Sequence, residues 1–210
     1  MCTRARHWDT QFGSREEEDL TWYEGVPEVS LELVTKYAEP GDPIIDVGGG
    51  TARLADVLLS RGYGPVTVLD VSEAALSIRR NRLGELADNV TWICADITRW
   101  IPAEAYFVWH DRAVFHFLTQ RADRIAYVAA MSAALPPDGV AIIATFADDG
   151  PIKCSGLPVV RYSPAQLSAE LQEIAPDTFR VIEARRHVHI TPKGDWQSFQ
   201  FTVFKKSVPE

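Results

Sequence analysis

Short, largely apolar runs alternate with stretches of helical period over most of the chain. Residues 44–47, 66–69, 90–94, 106–109 and 140–146 read as strands. Between them, residues 51–61 carry Leu54, Ala55, Val57 and Leu58 at helical spacing and stop at Gly62. Ser72 suits the N-cap of a helix running to about Arg82. Residues 121–135 place Ile125, Val128, Ala129 and Leu135 on one side of a further helix. Ahead of the first strand, residues 27–39 predict a helix with Leu31, Val34 and Ala38 on one face. It ends before the turn Pro40-Gly41-Asp42-Pro43. Apolar strands alternating with helices predict a parallel sheet covered on both faces.

The rhythm changes near the end. Ser163-Pro164-Ala165-Gln166 is a capping box with proline at the first helical position, and Leu167, Leu171 and Ile174 follow at helical spacing. Two strand-like runs come next, 179–190 and 196–204, separated only by residues 191–195. A parallel crossover needs about a dozen residues, so these two must pair antiparallel. The predicted fold is α/β: a doubly wound, mostly parallel seven-stranded sheet with an antiparallel C-terminal pair and helices on both faces. No repeat or linker interrupts it, so residues 1–210 are expected to form one domain.

Charge narrows the function classes. The 210 residues are 46% hydrophobic and 24% charged, with a formal net charge of −8. That balance disfavours a surface that coats nucleic acid or a polybasic membrane anchor. No apolar run is long enough to span a membrane. Cys2, Cys94 and Cys154 are few and far apart, so neither a disulfide framework nor a zinc site is expected, and the expected address is cytoplasmic.

The segment Asp46-Val47-Gly48-Gly49-Gly50-Thr51 leaves a strand and opens a helix. Glycines there let the backbone turn tightly and approach a ligand. The following helix offers free N–H groups and a positive dipole end. Asp70 closes the next strand, where a carboxylate can accept from both hydroxyls of a ribose. A nicotinamide cofactor fits less well, because the sixth position of its glycine fingerprint is Arg53. A glycine turn without a ligand is the remaining reading.

The loop, Asp70 within Val68-Leu69-Asp70-Val71-Ser72, and Ala95-Asp96-Ile97 after the third strand resemble motifs of class I S-adenosylmethionine-dependent methyltransferases. The resemblance covers roughly residues 27–206, with a shortened glycine loop in which Ala52 replaces the family's third glycine. Trp8-Asp9, residues 18–23 and Pro27-Glu28 resemble the entry segment of a seven-strand subgroup that includes protein-lysine methyltransferases. The resemblance implies S-adenosylmethionine as cofactor. It places Gly48, Gly49 and Gly50 around the methionyl part, and Asp46 toward its ammonium directly or through water. Asp70 would hold the ribose, Val71 would lie under the adenine, and Asp96 with the Ile97 backbone would meet the adenine amino group. Trp22 and Tyr23, in a cofactor-covering segment 1–26, would close over it.

The same resemblance puts the residues after the fourth strand beside the transferable methyl. His110, Asp111, Arg112 and His116 stand there. A histidine can accept a proton at neutral pH, and His110, Asp111 and His116 are the catalytic candidates, His110 also touching the cofactor. Asp111 could instead hold a substrate cation. Residues 148–162 form a long loop expected to wall the acceptor site, with Cys154, Arg161 and Tyr162 joining Arg112 as substrate-binding candidates. His187 and His189 share a strand face but lack a third metal ligand. The expected activity is methyl transfer to a small molecule. A protein lysine and a non-catalytic nucleoside-binding partner subunit are the alternatives. Neither nucleic acid nor membrane is an expected partner.

Overall fold

A computed structural model describes residues 3–208. The strands are β1 (Ile44–Val47), β2 (Val66–Asp70), β3 (Val90–Cys94), β4 (Val108–Arg112), β5 (Val140–Phe146), β6 (Lys153–Cys154), β7 (Leu157–Pro158), β8 (Phe179–Ile190) and β9 (Trp196–Lys206). The α-helices are α1 (Thr3–Gly13), α2 (Glu28–Tyr37), α3 (Leu54–Ser60), α4 (Glu73–Leu83), α5 (Arg121–Ala134) and α6 (Pro164–Ile174). Seven strands form one sheet in the order β3-β2-β1-β4-β5-β9-β8, and β6 and β7 pair separately. The first five strands of that order run parallel, while β9 is antiparallel to both β5 and β8. This is the predicted doubly wound sheet with its antiparallel pair. Every residue of β1, β2 and β5 is buried, as expected of strands covered on both faces.

Two apolar layers flank the sheet. On one face Leu33, Val34, Leu54 and Leu58 pack on Ile44, Val68 and Ile142. On the other Tyr127, Met131, Leu167 and Leu171 pack on Ile45, Trp109 and Ile143. The expected capping box of α6 is present: Gln166 N donates to Ser163 Oγ at 3.2 Å, and Ser163 N to Gln166 Oε1 at 2.8 Å. Ser72 caps α4 as predicted, accepting from Ala75 N at 3.2 Å.

Two local readings change. The polar N-terminal stretch contains α1, which periodicity alone did not suggest. Its apolar content is confined to Trp8 and Phe12, one turn apart, and both pack with Leu20, Trp22 and Ala75. Asp9 completes its docking, accepting from Ser72 Oγ at 2.7 Å and Ala74 N at 3.2 Å. Strand β4 starts two residues later than expected and ends at Arg112, so His110, Asp111 and Arg112 lie on the strand. Residues 106 and 107 instead lead in, with Tyr106 N donating to Ala134 O and Phe107 N to Pro43 O. The order reverses between β1 and β4, each with its crossover on a different side, and such a reversal opens a crevice at the carboxyl ends of the strands.

Candidate active site

The glycine loop turns at the end of β1. Gly48 N donates to Leu69 O at 2.7 Å, and Gly48 and Gly50 take φ of +67° and +39°. A Cβ on Gly49 would lie 2.6 Å from Asp46 Oδ2, and one on Gly50 would lie 3.2 Å from Asp70 Oδ2 and 3.1 Å from Phe12 Cζ. The bend is therefore tight against its own neighbours, yet a cleft remains beside it. The cleft encloses about 1370 Å³, its open mouth included. It extends from Asp70, Val71, Asp96 and Ile97 past the glycines to His110 and Arg112, under a strap that carries Trp22 and Tyr23.

Asp70 stands at the end of β2 and is buried. Burial pushes its carboxyl up to about 6, against hydrogen bonds from the Ser72, Gly50 and Val71 backbone N–H groups. No cation competes for it among its hydrogen bonds, of which the one from Ser72 N is 2.8 Å long. Asp96 is differently placed. It accepts from Thr98 N at 3.0 Å, from Thr98 Oγ1 at 2.8 Å and from Arg4 at 3.2 Å, and Arg4 also bonds Asp123. The end of the cleft expected to take an adenine is thus framed by Arg4 from α1 as well as by Asp96.

Asp46 is held by the protein itself. Its Oδ1 accepts from His110 Nδ1 at 2.8 Å, and its Oδ2 faces Arg79 at 3.4 Å. Arg79 is fully buried and also donates to Asp56 at 3.0 Å and to Gly49 O at 3.0 Å. Burial alone would raise the Asp46 carboxyl, but the hydrogen bond from His110 and the Arg79 charge hold it below the usual carboxylate range. The expected approach of Asp46 to a cofactor ammonium therefore has to share this carboxylate with two side chains already on it.

At the far end of the cleft, Arg112 donates to Trp22 O at 3.1 Å and to Glu24 Oε1 at 2.9 Å, and its guanidinium lies 5.1 Å over the Phe199 ring. Glu24 also meets His189 Nδ1 at 3.2 Å, while His189 Nε2 is 2.9 Å from Thr21 O. Both ring nitrogens thus face oxygen atoms, one of Glu24 and one of the Thr21 carbonyl. Cys154 lines the same end, its thiol pushed up to about 11 by burial and hence protonated at neutral pH.

Four expected site residues do not line this cleft. Asp111 points into the core, where it accepts from Tyr127 Oη at 2.6 Å, Val114 N at 2.8 Å and Phe115 N at 3.0 Å. These bonds pin the turn after β4, and burial raises the carboxyl to about 6. His116 is also fully buried, packed on Phe117 and Phe146, with Nδ1 accepting from Phe146 N at 3.3 Å. Burial, reinforced by the Arg112 charge, lowers it to about 3, so it cannot collect a proton near neutral pH. Arg161 is exposed and bonds Gly150 O at 2.9 Å; Tyr162 is buried beside Phe115. Sequence reasoning also passed over Arg79, Glu24, Gln197 and Ser30, and weighed His189 only as half of a metal pair. They come from elements remote in sequence, and no spacing signals their convergence.

Residues 44–139 match the family model described as a methyltransferase domain. These residues run from β1 to the turn before β5 and make up just under half of the chain. Its seven-strand sheet is the one shared by S-adenosylmethionine-dependent methyltransferases. A solved S-adenosylmethionine-dependent methyltransferase from Anabaena variabilis superposes with a TM-score of 0.74 at 17% identity, over 98% of this chain and 96% of that one. The 1,6-didemethyltoxoflavin-N1-methyltransferase of Burkholderia thailandensis, solved with 1,6-didemethyltoxoflavin and S-adenosylhomocysteine, gives 0.70 at 17% identity, over 98% and 85% of the two chains. In sequence, the mouse protein named eEF1A lysine and N-terminal methyltransferase is 25% identical over 103 residues, 49% of this chain. The match spans only 15% of that relative's length. Within the matched residues, the glycine bend and Asp70 fall on the side of β1 toward β2, and His110 and Arg112 fall on β4.

Proposed function

We propose that this methyltransferase binds S-adenosylmethionine along Gly48, Gly49, Gly50 and Asp70 and methylates a small acceptor that carries no positive charge. When bound, the cofactor supplies a methyl already activated by its sulfonium, so the protein's share is alignment and exclusion of water. Asp70 offers the ribose a buried carboxylate that no side-chain cation holds. Val71 and Ile97 supply apolar walls for the base, with Asp96 and Arg4 at its edge. Trp22 and Tyr23 close the cleft from the strap.

One observation carries the choice of acceptor. Glu24, the carboxylate beside Arg112, is held at 2.9 Å by Arg112 and at 3.2 Å by His189. The carboxylate is thus already engaged on both sides, by the Arg112 guanidinium and the His189 ring. An ammonium entering there would meet Arg112 without a free carboxylate to receive it. A protein lysine is the second reading, favoured by the name of the mouse relative. A non-catalytic nucleoside-binding subunit is the third. Neither a nucleic-acid acceptor nor a membrane partner belongs to this reading; no helix among the described residues is long and apolar enough to cross a membrane. A cytoplasmic address fits this reading.

Calorimetric titration with S-adenosylhomocysteine and with NADH tests the cofactor. Binding of the first and not the second is expected, and the reverse would sink the assignment. Transfer of a radiolabelled methyl group to small N–H and O–H compounds, but not to lysine peptides, is expected for the acceptor.

A further inference from the structure

The acceptor end contains buried polar atoms that nothing among the described residues answers. His110 is 3% exposed, and its Nε2 has no hydrogen-bond partner. Its other ring nitrogen, Nδ1, faces Asp46 Oδ1 at 2.8 Å. An ionised carboxylate only accepts, so Nδ1 carries a proton, and the ring in its neutral form presents Nε2 as a lone pair. Ser30 Oγ and Gln197 Oε1 are likewise buried without a partner, and both residues line the same cleft. Leaving such atoms unanswered costs stability, which a ligand bearing N–H or O–H donors would recover. Around them stand the rings of Trp22, Phe117 and Phe199.

We propose that the acceptor is a planar N–H or O–H acid, such as an azole, lactam or phenol, whose proton is taken by His110 Nε2 while Asp46 positions the ring. The inference rests on the methyltransferase reading above and names its substrate class. The acceptor's nitrogen or oxygen bonds to the methyl carbon as the sulfur–carbon bond breaks, and that electron pair stays on sulfur. The acceptor's N–H or O–H proton passes to Nε2, and the resulting imidazolium lies against the Asp46 carboxylate. It returns the proton to solvent when product leaves. Gln197 Oε1 accepts from a second donor of the acceptor, which fixes the orientation of the plane. Removing a proton before or during attack is what an azole or phenol needs.

The charged groups around His110 come from several elements. Asp46 on β1 touches it, with Arg79 of α4 behind on the same carboxylate. Asp111 and Arg112 adjoin it on β4, and Glu24 of the strap lies beyond Arg112. Arg112 favours the anionic form of an acceptor, and Asp46 favours the protonated ring that forms.

The test uses the full chain loaded with S-adenosylhomocysteine and 4-nitrophenol as the probe, because its phenolate absorbs in the visible and its phenol does not. S-adenosylhomocysteine binding is measured first and separately, so failure of the cofactor assignment is seen as such. In the wild-type complex, below the probe's solution pKa, the bound species is expected to show the phenolate band. His110→Ala is expected to retain S-adenosylhomocysteine binding and to bind the probe as the phenol. Asp46→Asn is expected to move ionisation of the bound probe to higher pH. Where Asp46→Asn fails to fold, His110→Ala and His110→Gln still decide the question. An unchanged phenolate band in both His110 variants overturns the proposal. So does failure of 4-nitrophenol, 4-hydroxyquinoline and indazole all to bind the loaded protein, or transfer of methyl to a lysine peptide and to none of the three.

Discussion

A Cβ placed on Gly48 would lie 2.0 Å from Val114 Cγ2, a distance no real contact reaches. Gly48 follows β1 and Val114 follows β4, so the opening glycine of the loop is also the point where two loops of the sheet interlock. The backbone there has φ of +67°, which a side chain resists on its own account. Gly48→Ala is therefore expected to destabilise the ligand-free protein by at least about 2 kcal/mol, read as a shift of the chemical denaturation midpoint. Unchanged stability with loss of cofactor binding alone would mean that the glycine serves only the ligand.

Asp70 carries a charge in a buried place. Its carboxyl, raised to about 6, protonates as the solution is acidified through that value. Affinity for S-adenosylhomocysteine is expected to fall below about pH 6, because a protonated carboxyl accepts fewer hydrogen bonds. Asp70→Asn is expected to weaken binding about 10–100-fold at neutral pH and to abolish that pH dependence. The ligand-free variant should melt no lower than wild type at pH 7, since the folded-state pKa lies above the unfolded one and ionising the group costs stability as pH rises. Isothermal titration and thermal melts across pH check both parts.

His116 has the opposite linkage. Its folded-state value of about 3 lies below the ordinary 6.5, so the unfolded chain takes up the proton first. Stability is lost as pH falls from about 6.5 toward 3, while Asp70 and Asp111 oppose this between about 6 and 3.8. His116→Gln removes the histidine's share. The stability lost between pH 7 and pH 4.5 should shrink by about 2–3 kcal/mol, measured by urea unfolding at the two pH values. An unaltered loss would mean that the ring is accessible to protons in the fold.

Glu24 ties the strap to two distant elements, to Arg112 on β4 and to His189 on β8. Glu24→Gln removes the charge from both contacts. Amide hydrogen exchange in residues 20–26 is expected to accelerate about tenfold or more, as local opening becomes easier by about 1.5 kcal/mol. Exchange in β1 and β5 should be unaffected. Equal acceleration throughout the sheet would make the tether a global support and not a local latch.

Sequence alone determined the framework: which segments are strands, that the sheet is parallel at its centre, and that the final pair turns back antiparallel. Each follows from local rules, namely apolar runs bounded by turns, capping chemistry and the shortness of the 191–195 connection. The glycine bend and Asp70 were legible for the same reason, because a strand–turn–helix unit keeps its signal within a few residues. Tertiary structure alone decided which polar groups meet. His110, Asp111, Arg112 and His116 are close in sequence, yet two face the cleft and two the core, because alternation along β4 and the turn pinned by Asp111 send them to opposite sides. Glu24, Arg112 and His189 converge from three remote segments, and Asp46 and His110 become neighbours only through the β1–β4 register. Such pairings depend on strand order and register, which long-range packing sets.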